Sequence, residues 1–120
     1  MLFIYNFLIE ITILFLRLLS FFSIKIKFFL DEHTKSLKKL NEFKINPKNK
    51  RLLFHCASLG EFEQAKPLIQ KIKSNYPGLK IIISFFSPSG YQIGKNYKFA
   101  DFVCYLPFDS KKNVKLFLKS

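Results

Sequence analysis

From residue 2 to residue 24 the chain is almost entirely apolar, and this run restricts its possible folds more than any other feature. The run reads LFIYNFLIEITILFLRLLSFFSI. A helix of about twenty apolar residues is long enough to cross the hydrocarbon core of a bilayer. The basic start and small-residue cleavage site of a secretory signal peptide are both missing from it. We therefore expect a membrane-anchor helix over residues 1–24.

Two charged residues interrupt the apolar run and leave its arrangement in the membrane open. Glu10 and Arg17 fall on one helical stripe with Asn6 and Ser20. Each charge costs about 2.5 to 3.5 kcal/mol at the centre of a bilayer. Such a helix either spans the membrane with the two charges paired, which we favour, or lies flat with the stripe toward water. Lysines follow the run rather than precede it, so we expect the rest of the chain on the cytoplasmic side of the membrane.

Residues 25–50 are polar and rich in lysine. The whole chain carries a formal charge of +12, from 20 Lys and Arg against 8 Asp and Glu. Basic residues beside an anionic leaflet gain about 1 kcal/mol each. We expect a juxtamembrane helix or linker that contacts anionic lipid, with a turn marked by Pro47 and Asn49. Alternatively, this stretch is a solvated linker that contacts no lipid. The high lysine content could also reflect an AT-rich genome rather than a function.

The pattern after residue 50 is typical of a parallel α/β sheet, in which short apolar strands alternate with amphipathic helices. It predicts a truncated α/β domain over residues 51–120, with a partial Rossmann-like parallel sheet. The predicted strands are residues 51–56, 79–86 and 102–106, and the predicted helices are residues 61–76, 90–97 and 110–118.

Two other classes of site find little support in the sequence. Cys56 and Cys104 lie inside apolar runs without CxxC or Cys/His spacing, so we expect no metal site and no disulfide framework. Free cysteines suit a reducing, cytosolic location. The lysines are scattered and no nucleic-acid recognition motif is present, so we expect no nucleic-acid partner.

Two turns follow the ends of the first two predicted strands. Ligands of parallel α/β sheets bind beyond the carboxyl ends of the strands. The first turn contains Ser58, Gly60 and Glu61, and the small residues allow a ligand to approach the backbone closely. Its plainer interpretation is a helix start, with Ser58 as the N-cap and Glu61 and Glu63 complementing the helix dipole.

The second turn reads SFFSPSG and carries Ser87, Ser89 and Gly90. Its hydroxyl groups could contact a ligand at the same edge of the sheet, or could simply cap a turn and a helix. Neither turn has the glycine spacing of a dinucleotide fingerprint or of a P-loop.

Three strings carry a resemblance to a known family. FHCASLGEFEQAKPLIQKIKSNYP, ISFFSPSGYQI and YLPFDS follow one another in the chain. In order and spacing they resemble the amino-terminal domain of the 3-deoxy-D-manno-octulosonic acid (Kdo) transferases. The resemblance implies a two-domain GT-B glycosyltransferase of lipopolysaccharide inner-core synthesis. Its amino-terminal domain would hold the lipid A precursor and its carboxy-terminal domain the donor CMP-Kdo, with inverting transfer and neither cofactor nor metal.

The resemblance also assigns residues. It makes Glu61 the general base on the acceptor hydroxyl and places Ser58 and Gly60 in the same motif. Ser87, Ser89 and Gly90 correspond to the second acceptor-side turn. A sugar hydroxyl is a poor nucleophile at neutral pH, so a carboxylate that takes its proton as the new bond forms is chemically reasonable.

The family pattern is incomplete in this sequence. The later Lys-x-Glu-x-Trp stretch of a Kdo transferase and its whole nucleotide-sugar domain are not present. We expect a fragment of a longer reading frame, a degenerate gene, or one half of a split protein whose partner is the carboxy-terminal domain. The alternative function is a non-catalytic membrane-anchored α/β module that binds an anionic lipid or a partner protein.

Overall fold

The computed structural model describes residues 2–43 and 48–119, so Pro47 of the predicted turn lies outside the described residues, whereas Asn49 lies within them. Within these residues, five helices and three strands follow one another: α1 (Leu2–Ser20), α2 (Ile24–Glu42), β1 (Arg51–Cys56), α3 (Leu59–Asn75), β2 (Lys80–Phe85), α4 (Pro88–Gly94), β3 (Phe102–Tyr105) and α5 (Lys111–Lys119). The chain divides into two compact units. The helical unit comprises Met1–Glu42 and Pro107–Ser120, and the sheet unit comprises Phe43–Leu106.

The sheet unit contains a three-stranded parallel sheet in the order β1-β2-β3. Along the register, Ile83 of the central strand pairs with Phe54 on one side and with Val103 on the other. From Ile81 to Phe85 the central strand is buried, as expected for a strand covered on both faces. The predicted α/β class and parallel sheet are therefore confirmed.

The core of the sheet unit lies between α3 and one face of the sheet. Phe62 and Ile69 of α3 are fully buried, as are Ile81, Ile83 and Phe85 of the central strand. The rings of Phe62 and Phe85 meet edge to face with their centroids 5.1 Å apart. Full burial of one such side chain contributes about 1.5 to 3 kcal/mol. This cluster fixes α3 on the sheet and, with it, the turn that precedes α3.

The helical unit begins with two helices joined by a three-residue connection. The predicted helix over residues 2–24 is not continuous, because α1 ends at Ser20 and α2 starts at Ile24. The amide of Phe22 donates to the carbonyl of Leu19, which closes a turn after the helix. Residues 24–42 are helical, which agrees with the helix rather than the linker of the two structures expected for residues 25–50.

The same unit includes the segment before α5. Phe108 packs against Phe29 and His33 of α2, with ring centroids 5.8 and 4.9 Å away. The hydroxyl of Tyr5 in α1 donates to the carboxylate of Asp109 at 2.6 Å. The structure thus groups α5 with α1 and α2, whereas the sequence pattern assigned residues 110–118 to the sheet domain.

An 18-residue stretch of α1, Phe3–Ser20, is long and apolar enough to cross a membrane, with a mean hydropathy of 1.7. None of its residues is buried within the protein. The helix that the sequence predicted to meet the membrane therefore presents apolar side chains outward.

Candidate functional site

The two turns singled out in the sequence lie next to each other at the carboxyl edge of the sheet. Cys56 and Phe85, the last residues of β1 and β2, are register partners. Just beyond them, the amide of Ser87 donates to the carbonyl of Ala57 at 3.0 Å and joins one turn to the other. The prediction that both turns share one edge of the sheet is confirmed.

Reciprocal capping bonds organise the first turn. Ser58 is the N-cap of α3, with φ −135° and ψ 168°, and its Oγ accepts from the amide of Glu61 at 3.4 Å. In return, the amide of Ala57 donates to Oε2 of Glu61 at 2.6 Å. Side chain and backbone thus satisfy each other at the helix start, as in a capping box, although the glutamate reaches one residue further back.

The carboxylate of Glu61 is consequently oriented but still open to a ligand. Glu61 is solvent-exposed. Its Oε2 is engaged by Ala57, whereas Oε1 has no hydrogen bond to any other part of the described chain. Because a carboxylate has about four acceptor positions, the remaining ones can receive a proton or a hydroxyl group.

The neighbouring thiol does not compete as a nucleophile. Burial raises the pKa of Cys56, and the negative charge of Glu61 raises it further. Burial alone raises the pKa of Cys104 to about 12. Since the thiolate is the reactive form, both thiols stay protonated and inert near neutral pH.

The second turn starts α4 in a similar way. Ser87 is the N-cap, and its Oγ accepts from the amide of Gly90 at 3.1 Å. The hydroxyl of Ser89 lies 3.3 Å from the same oxygen and is exposed. Within the described residues, neither serine forms a hydrogen bond with the carboxylate of Glu61, so the link between the turns is made by backbone.

The two glycines of the candidate site have different surroundings. A Cβ at Gly90 would come within 2.6 Å of Cδ1 of Phe85, so this glycine allows α4 to pack on a buried ring. At Gly60 the nearest atom to such a Cβ would be Oγ of Ser58, 3.9 Å away, and the residue is exposed. Gly60 therefore leaves open space at the edge of the sheet, whereas Gly90 fills a packing role.

One further polar pair at this edge was missed by the sequence analysis. His55 and Ser84 are register partners, and Nδ1 of His55 lies 3.0 Å from Oγ of Ser84. Ser84 is fully buried and His55 is exposed. The two residues are 29 positions apart, so only the strand register brings them together.

The described residues 2–43 and 48–119 contain no group of three His, Cys, Asp or Glu side chains that could hold a metal ion. Within these residues, the carboxyl edge carries the oriented carboxylate of Glu61, the exposed serines Ser58 and Ser89, and open backbone at Gly60.

In nucleotide-binding folds with a parallel α/β sheet, ligands bind beyond the carboxyl ends of the strands, which is where these two turns lie. Residues 30–120 match the model of the 3-deoxy-D-manno-octulosonic-acid transferase (kdotransferase) family, and the chain belongs to this family. The match includes most of α2 and all of α5, but α1 lies outside it.

A curated relative supports the same assignment. The 3-deoxy-D-manno-octulosonic acid transferase of Haemophilus influenzae is 30% identical over 73 residues, which cover 60% of this chain. The aligned part is 17% of that relative's length, so the chain corresponds to a small part of it. No solved structure gives a significant match.

Proposed function

We propose that this chain is the acceptor-binding portion of a Kdo transferase that acts in lipopolysaccharide inner-core synthesis. The acceptor would be a lipid A precursor, and the donor CMP-Kdo would be bound by a carboxy-terminal domain. Family membership supports the class of enzyme. The short aligned share of the Haemophilus influenzae relative agrees with a donor site supplied by other residues.

The observation that carries the proposal is the orientation of the Glu61 carboxylate at the carboxyl edge. In this role, Oε1 of Glu61 accepts the proton of the acceptor hydroxyl as its oxygen attacks the anomeric carbon of Kdo. The bond between that carbon and the CMP phosphate breaks in the same displacement, and CMP leaves with the electron pair. A single displacement inverts the anomeric centre and forms no covalent enzyme intermediate, so one base is sufficient. The bond from Ala57 keeps the carboxylate in place before the acceptor arrives.

Some of the remaining site residues are proposed to contact the acceptor, and the others hold the two turns in place. Gly60 and Ser89 are exposed at the edge and are the proposed contacts to the acceptor. Ser58 and Ser87 hold the helix starts through their capping bonds. Gly90 supports the site indirectly, because the absence of a side chain allows α4 to pack against the ring of Phe85.

The proposed location is the cytoplasmic face of the inner membrane, with α1 as a single N-terminal anchor. The acceptor is itself an amphiphile with acyl chains in the bilayer, so its sugar headgroup is within reach of a membrane-bound site. The lysine-rich residues around the anchor are suited to anionic lipid in the same leaflet.

A non-catalytic α/β module is the second candidate, and one observation favours it. The capping bonds of Ser58 and Glu61 explain both residues without any ligand. A binding experiment separates the candidates, since acceptor binding requires no donor domain.

The experiment measures binding of a lipid A precursor to the full chain in non-ionic detergent micelles. Gly60→Leu fills the open space at the carboxyl edge and should weaken binding at least about tenfold, a change of about 1.4 kcal/mol. Gly78→Leu is the matched control, because Gly78 is exposed, precedes β2 at the opposite edge and has no atom within 4 Å of the point that a Cβ would occupy. Equal affinities of the two variants, or no binding by the parent chain, would refute the proposed acceptor site.

A further inference from the structure

The outer face of α1 is an exposed apolar surface that continues onto the turn after the helix. Six of its side chains are each between 56% and 63% exposed: Ile4, Phe7, Leu8, Leu14, Phe15 and Leu18. Their spacing places them on one broad face of the helix. Beyond Ser20, Phe21 and Phe22 of the connection to α2 are exposed further, at 85% and 91%, as is Ile24, the first residue of α2, at 89%. We define the membrane face as these nine residues.

The opposite side of α1 packs within the helical unit. Ile9, Ile13 and Leu16 recur at helical spacing and are half-buried. Polar residues occupy the two flanks between the faces, with Tyr5 and Thr12 on one side and, on the other, Glu10 and Arg17. An outward apolar face, an inward packed face and polar flanks are the arrangement of a helix that lies in a membrane interface.

Positive charge surrounds the exposed turn. Arg17, Lys25 and Lys27 are solvent-exposed. No acidic residue lies between Arg17 and Asp31 in the sequence. Apolar side chains flanked by cations complement a bilayer that contains anionic phospholipid, in which acyl chains meet the apolar residues and phosphates meet the cations.

One hydrogen bond and one shared cavity place α1 beside charged residues of the same unit. Near the start of α1, Tyr5 is hydrogen-bonded to Asp109, which comes two residues before α5. Further along, Glu10 and Arg17 line a cavity together with Thr34 of α2 and Lys112 of α5. A helix that crossed the bilayer would either lose the Tyr5–Asp109 bond or carry Asp109 and Lys112 toward hydrocarbon, which is costly.

We propose that the helical unit enters one leaflet of an anionic bilayer through the membrane face, with α1 parallel to the membrane plane and the Phe21–Phe22 turn as a wedge. The start and the end of α1 then stay on the same side of the membrane. This inference goes beyond the proposed function, since it requires neither Kdo transfer nor acceptor binding.

The depth of single tryptophans tests the proposal, because the chain has no tryptophan of its own. Phe3→Trp, Ile11→Trp and Phe22→Trp are placed in the full chain and bound to phosphatidylglycerol/phosphatidylcholine vesicles. Quenching by lipids brominated at different acyl positions then reports depth. Tyr76→Trp is the control, because Tyr76 is 64% exposed and belongs to the sheet unit.

The proposal expects all three α1-region tryptophans to be quenched within one leaflet, with position 22 at least as deep as position 11. The Tyr76→Trp control should remain unquenched. A profile in which position 11 lies at the bilayer centre, with positions 3 and 22 shallow on either side, would show a spanning helix and overturn the proposal.

A second measurement remains informative if a tryptophan variant misfolds. Phe21→Asp combined with Phe22→Asp should lower partitioning into phosphatidylglycerol vesicles at least tenfold, while Tyr76→Asp leaves it unchanged. Partitioning of the parent chain should also fall when phosphatidylglycerol is omitted. Equal partitioning of the two aspartate variants, or no binding of the parent chain to anionic vesicles, would contradict the proposed membrane face.

Discussion

Asp101 holds the sheet unit together at the start of the central strand, and its replacement gives a stability prediction that depends on pH. Its Oδ2 accepts from Nζ of Lys73 at 2.6 Å and from the amide of Ile81 at 2.9 Å. Its Oδ1 accepts from Nζ of Lys80 at 3.0 Å. The side chain of Asp101 is 17% exposed, so solvent screens these contacts only partly.

These contacts set the ionisation of Asp101. Burial alone would raise the pKa of its carboxyl group, but hydrogen bonds from Lys73, Ile81 and Lys80 outweigh burial and lower the pKa from 3.8 to about 2. A shift of this size corresponds to about 2 kcal/mol of folding stability at neutral pH. Because the folded pKa is the lower one, this stability is present above pH 4 and is lost as the pH falls toward 2. About 1 kcal/mol of it should already be lost at pH 3.

The test compares Asp101→Asn with the parent chain by urea unfolding in a mild detergent, followed by far-UV circular dichroism. Asparagine keeps the shape but removes the charge opposite two lysines, so we expect a loss of about 2 kcal/mol at pH 7. Since asparagine does not titrate, the gap to the parent chain should narrow by about 1 kcal/mol at pH 3. Glu63→Gln is the control, because Glu63 pairs with Lys66 while 53% exposed, and exposed pairs contribute at most about 1 kcal/mol. A gap that stays constant between pH 7 and pH 3 would refute the reasoning.

Two further predictions concern packing and capping. Gly94→Ala should destabilise the chain by about 1 to 3 kcal/mol, because the new methyl group would overlap the buried ring of Phe85. The control variant Gly78→Ala should be nearly neutral in the same urea assay, since no atom lies near its new methyl group. Equal losses of stability in the two variants would contradict the close packing of Gly94 on Phe85. Ser58→Ala should cost about 1 kcal/mol through loss of the N-cap of α3, and thermal unfolding that matches the parent chain would show that the cap contributes nothing.

The strands were predictable because apolar runs bounded by turns leave little ambiguity. Arg51–Cys56 agrees with the predicted residues 51–56, and the other two strands agree to within one residue at each end. The neighbouring position of the two turns also followed from the sequence, because adjacent parallel strands end at the same edge. Residues 88–89 were not predicted as helical, although Ser87 and Pro88 together form a recognisable helix start.

Features that depend on distant pairing could not be predicted. The break after Ser20 has no Gly or Pro to mark it. Asp101 and Lys73 are 28 residues apart, and their contact requires the finished packing of α3 against the sheet. The bond from Ala57 to Glu61 likewise depends on the backbone path between β1 and α3, which a list of residue types does not specify.

The central claim is that Glu61 is the base of a Kdo transferase, and Kdo transfer itself tests it most directly. The chain is joined to the remaining part of the Haemophilus influenzae relative, and incorporation of Kdo from CMP-Kdo into a lipid A precursor is measured. Glu61→Gln should lower turnover by about 10²- to 10⁴-fold while acceptor binding persists. Glu63→Gln, on the same helix but ion-paired with Lys66 at the surface, should stay near the parent rate. Undiminished Kdo transfer by Glu61→Gln would contradict the account and leave Glu61 as a helix-capping residue.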